Sequence, residues 1–134
     1  MRMVGLDTSV VVRLLIGEPI EQAALARDFL NELFVANEKA AVSDLVVSEV
    51  YFALQYHYAV PKAKALEALS SLFESGEIVA TGIAATVLKM SNLAVAKPGF
   101  VDRLIHADYE RQFGAMATFE KKASRLPGTR VLMA

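Results

Sequence analysis

The chain has 134 residues, of which 54% are hydrophobic, and this predicts a single domain, residues 1–134, with a substantial core. With 14 Lys and Arg against 15 Asp and Glu, no overall positive field favours a polyanion, so any nucleic-acid contact must come from a local patch. The lack of cysteine excludes disulfides, thiolate metal sites and cysteine nucleophiles. Charged residues interrupt the apolar N-terminus, and no stretch approaches the roughly 20 apolar residues of a membrane span. We therefore expect a cytoplasmic protein with no membrane association.

The opening of the chain is a short apolar run, residues 3–6, that leads directly into Asp7. A second apolar run follows and continues to Ile16. This pattern predicts a buried strand and then a helix, with Asp7 between them. If the strand is central in a parallel sheet, Asp7 lies at its carboxyl end, where open α/β sheets bind their ligands.

The rest of the chain alternates between helical spacing and short apolar runs, separated by Gly and Pro breaks. Helices are predicted over residues 20–36, 44–58, 61–76, 83–94 and 100–113, with a helical turn over 120–125. Strands are predicted over residues 40–42, 77–80, 114–117 and 130–133. Strands that alternate with helices imply a parallel sheet covered on both faces, so we predict an α/β sandwich.

Glu49 is an acid among apolar residues at helical spacing, which include Leu45 and Val50. We therefore expect its carboxylate to be at least partly buried, and burial requires a pair, a proton or a metal. A structural ion pair or a position at the rim of the apolar face explains this single observation equally well.

Two further acids stand next to predicted strands or helix starts. Asp102 lies in the first turn of a helix, where the helix dipole alone favours its charge. Glu120 follows the strand that ends at residue 117, and an exposed acid on a short helix is a sufficient explanation for it.

Together, the four acids are stronger evidence for a functional site than any one of them, because all four can converge on one edge of a doubly wound sheet. Clustered carboxylates repel each other and take up protons unless cations are present. Oxygen ligands select Mg²⁺ or Mn²⁺, and metal sites of this kind commonly serve phosphoryl chemistry.

These residues resemble the PIN-domain ribonucleases, and in particular the VapC-type toxins of bacterial and archaeal toxin–antitoxin pairs. The resemblance covers almost the whole chain and depends on the order and spacing of four short motifs. The motifs are Leu6-Asp7-Thr8-Ser9-Val10, Ser48-Glu49-Val50, Phe100-Val101-Asp102-Arg103-Leu104-Ile105 and Ala117-Thr118-Phe119-Glu120-Lys121. It implies a PIN-like three-layer sandwich, with a central, mostly parallel sheet of about five strands flanked by helices. It also implies Mg²⁺- or Mn²⁺-dependent endonuclease cleavage of RNA.

By this resemblance, Asp7, Glu49 and Asp102 match acidic metal-site positions, and Thr118 matches the hydroxyl position after the fourth strand. The fourth acidic position is usually Asp in a Thr-x-Asp pattern, whereas this chain has Glu120. One added methylene moves the carboxylate by more than octahedral Mg²⁺ readily tolerates. Three roles therefore stay open for Glu120: a direct ligand, a ligand through water, or a residue that only tunes the site.

In the implied mechanism, Asp7, Glu49 and Asp102 hold one or two metal ions that bridge the scissile phosphate and lower the pKa of the attacking water. Thr8 or Ser9 is expected to hold the loop after the first strand.

Four cations, Arg103, Lys121, Lys122 and Arg125, lie near the predicted site in sequence and are candidates to steer the RNA backbone. A solvated helix face explains the group at residues 121–125 at least as well. We expect His106 to pack or to face water, because nothing pairs it with a nucleophile.

Other functional classes are less consistent with the sequence. A phosphate-receiving signalling domain requires paired acids after the first strand, and a haloacid-dehalogenase-type phosphatase requires an Asp where Ser9 stands. The alternatives that stay open are a non-toxin PIN nuclease in RNA processing and a catalytically impaired PIN-like module that binds RNA or protein.

The partners implied by the resemblance are an RNA substrate, a small VapB-type antitoxin that covers the site, and a second copy of the chain in a homodimer. The aromatic residues Tyr51, Phe52, Tyr56 and Tyr58 are compatible with such an interface, although ordinary core packing explains most of them.

Overall fold

A computed structural model of the chain describes residues 2–133. The chain forms two compact units, of which the first ends at Thr81 and the second begins at Gly82. The elements of the first unit are β1 Met3–Gly5, α1 Thr8–Ile16, α2 Ile20–Val35, β2 Lys39–Val42, α3 Asp44–Tyr56, α4 Lys62–Leu72 and β3 Ile78–Ala80. Those of the second are α5 Ala84–Leu88, a 3₁₀ helix Leu93–Val95, α6 Phe100–Gln112, β4 Met116–Thr118, a 3₁₀ helix Lys121–Arg125 and β5 Thr129–Val131.

The first unit is built on a parallel sheet of three strands in the order β1-β2-β3. The central strand β2 is buried from Ala40 to Val42, because it has a strand on each side. The prediction of a buried opening strand is wrong for Met3 and Gly5, which are exposed, and confirmed for Leu6. The reason is that β1 is an edge strand of this sheet and pairs with β2 alone among the described residues.

Helix α1 begins and ends at residues whose chemistry suits a helix terminus. The side chain of Asp7 caps the N-terminus by accepting a hydrogen bond from the backbone N–H of Val10. At the other end Gly17 adopts a left-handed φ of 80°, and its N–H donates to the carbonyl of Arg13 at 2.9 Å. The predicted break after Ile16 is therefore confirmed.

The core of the first unit is formed by the helix faces that pack on one another. Helix α1 packs against α2 and α3, and α3 packs against α4. Val11, Val47, Val50, Leu54 and Leu69 are almost completely buried. Each buried side chain of this size contributes about 1.5–3 kcal/mol to the free energy of unfolding.

The second unit differs from the sequence-based prediction in the helix over residues 83–94. That helix is interrupted, since α5 ends at Leu88 and a short 3₁₀ helix follows at Leu93. Asn92 adopts a left-handed φ of 58°, which a right-handed helix cannot continue through. Helix α6 matches its predicted range closely and packs against α5 and β4.

Strands β4 and β5 form a two-stranded parallel sheet, and Met116 pairs with Thr129. His106 on α6 is buried, and its Nε2 donates a hydrogen bond to the carbonyl of Pro127 at 2.6 Å, which attaches α6 to the segment before β5. The prediction that His106 packs is therefore confirmed.

The α/β fold class is confirmed, because helices alternate with five strands and every strand pairing in the described residues is parallel. The strands form one sheet of three and one of two, each within its own unit. None of the helices within residues 2–133 combines the length and the apolar character needed to cross a membrane.

The close approach of Gly128 to the backbone of Gly114 gives a test of the fold of the second unit. Gly128 has a φ of 70°, and a Cβ there would collide with the carbonyl oxygen of Gly114, whereas Gly114 has a φ of 75° but open space around its own Cβ position. We expect Gly114→Ala to lower the free energy of unfolding by about 1 kcal/mol through backbone strain alone. Gly128→Ala should lower it by about 3 kcal/mol or more, because the backbone must also shift. Urea unfolding measures the free energy of unfolding of both variants. Equal losses in the two would contradict the predicted steric collision at residue 128.

Candidate metal site

Asp7 is held at the start of α1 by two hydrogen-bond donors. Its Oδ1 accepts from the hydroxyl of Ser9 at 2.7 Å and from the N–H of Val10 at 3.3 Å. Both donors stabilise the ionised carboxylate, so they lower the pKa of Asp7, with the Ser9 hydroxyl as the largest cause. Asp7 therefore keeps its negative charge at lower pH than an ordinary aspartate does.

Glu49 is held by the residue between Asp7 and Ser9. Thr8 is the first residue of α1, and its hydroxyl donates to Oε2 of Glu49 on α3 at 3.2 Å. Consecutive hydroxyls at residues 8 and 9 thus each orient one carboxylate. The expectation that Thr8 or Ser9 holds the loop after the first strand agrees with these contacts, which involve both residues.

The expectation that Glu49 lies in a buried apolar face is wrong. Glu49 is exposed, and so is Leu45, one turn before it. The buried face of α3 consists of Val47, Val50, Tyr51 and Leu54. Helix α3 is apolar around most of its circumference, and packing against α1 and α4 selects the face that is buried.

Asp102, Thr118 and Glu120 line one cavity of about 160 Å³ in the second unit. Asp102 lies in the first turn of α6, and Thr118 is the last residue of β4. Glu120 immediately precedes the 3₁₀ helix Lys121–Arg125. The sequence-predicted residues of this half of the chain therefore share one concave surface.

Hydrogen bonds fix the turn that carries Glu120. The hydroxyl of Thr118 accepts from the N–H of Glu120 at 3.0 Å, and Oε1 of Glu120 accepts from the N–H of Lys122 at 3.0 Å. Glu120 thus caps the 3₁₀ helix with one oxygen. Asp102 caps nothing, because its helix begins after Gly99 without a side-chain hydrogen bond.

The four acids share one electrostatic property. In the described part of the chain, none of them lies within 4.0 Å of a Lys, Arg or His nitrogen, although other acids such as Glu38 and Asp108 form such pairs. The structural ion pair that could have explained Glu49 is therefore ruled out within residues 2–133.

The donors that these residues offer are oxygens, which suit a hard divalent cation such as Mg²⁺ or Mn²⁺. Asp7 and Glu49 belong to the first unit, and Asp102 and Glu120 belong to the second. Within residues 2–133, no three His, Asp or Glu side chains are grouped closely enough to enclose a metal ion. The oxygen donors of each unit are of the chemical type that suits such a cation.

The cations predicted near the site lie on a second, larger cavity of the second unit. Arg103, Lys121, Lys122 and Arg125 line this cavity, which measures about 660 Å³. Lys97 lines it too and was not a candidate in the sequence, because it precedes Pro98-Gly99, a pair that predicts only a break between helices. A lysine a few residues before a predicted site helix is the signal that could have found it.

The four aromatic residues near the end of α3 have different surroundings. Tyr51 is a core residue, with 6% of its surface exposed. Phe52 and Tyr56 stack on each other with their ring centroids 6.1 Å apart, and both are exposed, as is Tyr58. Core packing therefore explains one of the four residues and not most of them.

Comparison with known protein families gives a match to the PIN domain over residues 4–128. The search of curated proteins and the search of solved structures each give no match. PIN domains are in general nucleases, and they generally use divalent metals. The match covers nearly the whole chain and includes all four acids, which confirms the resemblance to the PIN-domain family. This chain belongs to the PIN domain family.

Proposed function

We propose that this chain is a cytoplasmic, metal-dependent endoribonuclease that hydrolyses RNA phosphodiester bonds. The observation that carries the proposal is that the four acids which the resemblance assigns to the metal site are all solvent-exposed and lack a cationic partner in the described residues. Such carboxylates are free to bind a cation. The family match runs through both units, which supports our proposal that residues 1–134 are one domain.

Asp7, Glu49 and Asp102 are the proposed metal ligands, and Mg²⁺ or Mn²⁺ is the proposed cofactor. When bound, the cation supplies Lewis acidity, which lowers the pKa of a water molecule and stabilises negative charge on the phosphate. Asp7 contributes a carboxylate that stays ionised, because Ser9 and Val10 donate to it. The Thr8 hydroxyl restricts the rotation of the Glu49 carboxylate.

Glu120 and Thr118 have the more indirect proposed roles. Thr118 holds the turn that places Glu120 beside Asp102 in the same cavity. One oxygen of Glu120 is already used by the N–H of Lys122, so the other is the proposed contact to the metal or to its water shell. This division of roles suits a longer side chain at a position where the family usually has Asp.

The reaction adds water across a P–O bond of the RNA, which leaves a phosphate on one product and a hydroxyl on the other. The carboxylates of the chain would hold the cation that offsets the negative charge of the phosphate, and hydrogen bonds from Thr8 and Ser9 fix two of them in position. This is the electrostatic and positioning contribution expected of a site that carries no covalent nucleophile.

We further propose that the chain is the toxin of a VapBC-type toxin–antitoxin pair, with a small VapB-type antitoxin and a second copy of itself as partners. The exposed aromatic residues Phe52 and Tyr56 support the existence of a protein partner, since large apolar side chains are enriched at interfaces. Two alternatives are a PIN nuclease in RNA processing and an impaired PIN-like binding module. Glu120, which departs from the family pattern, favours the second of these.

The metal-site proposal is tested by removing one carboxylate from each unit. The purified protein is expected to cleave RNA when Mn²⁺ is added, and this cleavage is expected to stop when EDTA is added. Asp7→Asn should lower the rate about 100-fold or more, since Asn still caps α1 but loses the charge. Asp102→Asn should have an equal effect. Asp28→Asn, an exposed acid on α2, is the matched control and should cleave normally. Full cleavage by the Asp7→Asn variant would contradict the proposal.

The indirect role of Glu120 predicts a change in metal requirement and not a loss of cleavage. Glu120→Gln keeps an oxygen for the N–H of Lys122 and should raise the half-saturating Mg²⁺ concentration about tenfold, with little change in the maximal rate. Glu120→Asp, which restores the family pattern, should cleave at least as fast as the natural protein. A Glu120→Gln variant as inactive as Asp102→Asn would instead make Glu120 a direct ligand.

The toxin proposal predicts that induced expression stops bacterial growth and that the Asp7→Asn variant does not. Co-expression of the product of a short reading frame next to this gene should restore growth. Normal growth, combined with Mn²⁺-dependent cleavage by the purified protein, would instead support a role in RNA processing.

A further inference from the structure

The larger cavity of the second unit, about 660 Å³, is lined by five cations and by no carboxylate. The cations are Lys97, Arg103, Lys121, Lys122 and Arg125. This concentration of positive charge is unexpected in a chain whose net charge is −1. Five like charges around one concave surface repel each other unless an anion lies between them.

The chain does not neutralise these charges within its described residues. None of the five forms an ion pair there. The guanidinium of Arg103 is fixed by neutral acceptors, with Nε donating to the carbonyl of Pro98 at 2.7 Å and Nη2 donating to that of Lys97 at 3.1 Å. These bonds set the direction of the guanidinium and leave its charge uncompensated.

The cavity also borders the proposed metal-binding cavity on two elements. On α6, Asp102 lines the small cavity and Arg103 lines the large one. At the 3₁₀ helix, Glu120 lines the small cavity and Lys121 the large one. Consecutive residues are only about 3.8 Å apart at their Cα atoms, so acidic and basic surfaces adjoin on both elements.

We propose that the large cavity binds the backbone phosphates of single-stranded RNA next to the bond that is cleaved. This inference rests on the proposed nuclease function and adds a second contact surface for its substrate. Lys and Arg suit phosphate oxygens, and a nucleic acid carries one charge at every nucleotide, which matches several cations in one cavity. Met90 and Val95 add apolar surface for the sugars and bases. A concave site suits a single strand, whose backbone can follow it, better than a convex duplex.

The test uses binding without cleavage. A short fluorescent single-stranded RNA is titrated with the protein in EDTA at several salt concentrations, and anisotropy gives Kd. The variant is Lys121→Gln/Lys122→Gln, and the control is Arg27→Gln/Lys62→Gln, which removes two exposed cations of the first unit. We expect the variant to bind about tenfold more weakly. The slope of log Kd against log salt concentration should be smaller for the variant by about 1.4, which is about 0.7 for each lost phosphate contact. The control should match the natural protein.

Two results would overturn the proposal. One is a variant with the same Kd and salt dependence as the control. The other is a polyglutamate peptide of matched charge that competes as well as unlabelled RNA, since the cavity would then accept acidic protein equally. The nuclease proposal can fail separately. If the natural protein binds RNA through these lysines but never cleaves it with Mn²⁺, the RNA-binding proposal stands and the nuclease proposal is contradicted.

Discussion

The parallel pairing of β1 with β2 determines where the acids of the first unit lie. Parallel strands end on the same side of a sheet, so the helices that follow them, α1 and α3, start side by side. The register pairs Gly5 with Ala41, and the next N–H, that of Leu6, donates to the carbonyl of Ala41 at 2.8 Å. A slip of two residues would move Thr8 about 7 Å along β2 and break its bond to Glu49. The geometry of the two carboxylates is therefore a property of strand register.

Much of the fold could be predicted from the sequence because its signals are local. The cap at Asp7, the left-handed Gly17 and the alternation of strands with helices each depend on a few neighbouring residues. The buried face of α3 could not be predicted in this way, because its apolar residues surround the helix. The neighbouring helices decide that Val50 is buried and Leu45 is exposed. The interruption at Asn92 had no strong local signal, since Asn adopts both right-handed and left-handed conformations.

The candidate site shows the same division between local and long-range information. The identities of the four acids were available from short motifs, and the family match includes all of them. The hydrogen bond from Thr8 to Glu49 joins residues 41 positions apart and depends on helix packing. Lys97 joins Lys121 in one cavity for the same reason. The balanced net charge gave no sign of this cavity, because composition reports a sum and not a distribution, and four of its five cations were found only by their positions in the sequence.

The 3₁₀ helix Lys121–Arg125 has a consequence for how this protein can change through evolution. Glu120 and Ala123 face the small cavity, while Lys121, Lys122 and Arg125 face the large one. A 3₁₀ helix has three residues per turn, so one inserted residue would rotate every later residue of the helix by about 120°. An insertion after Lys121, for example, would place Lys122 where Ala123 now stands. The length of this segment is therefore constrained separately from the identity of its side chains.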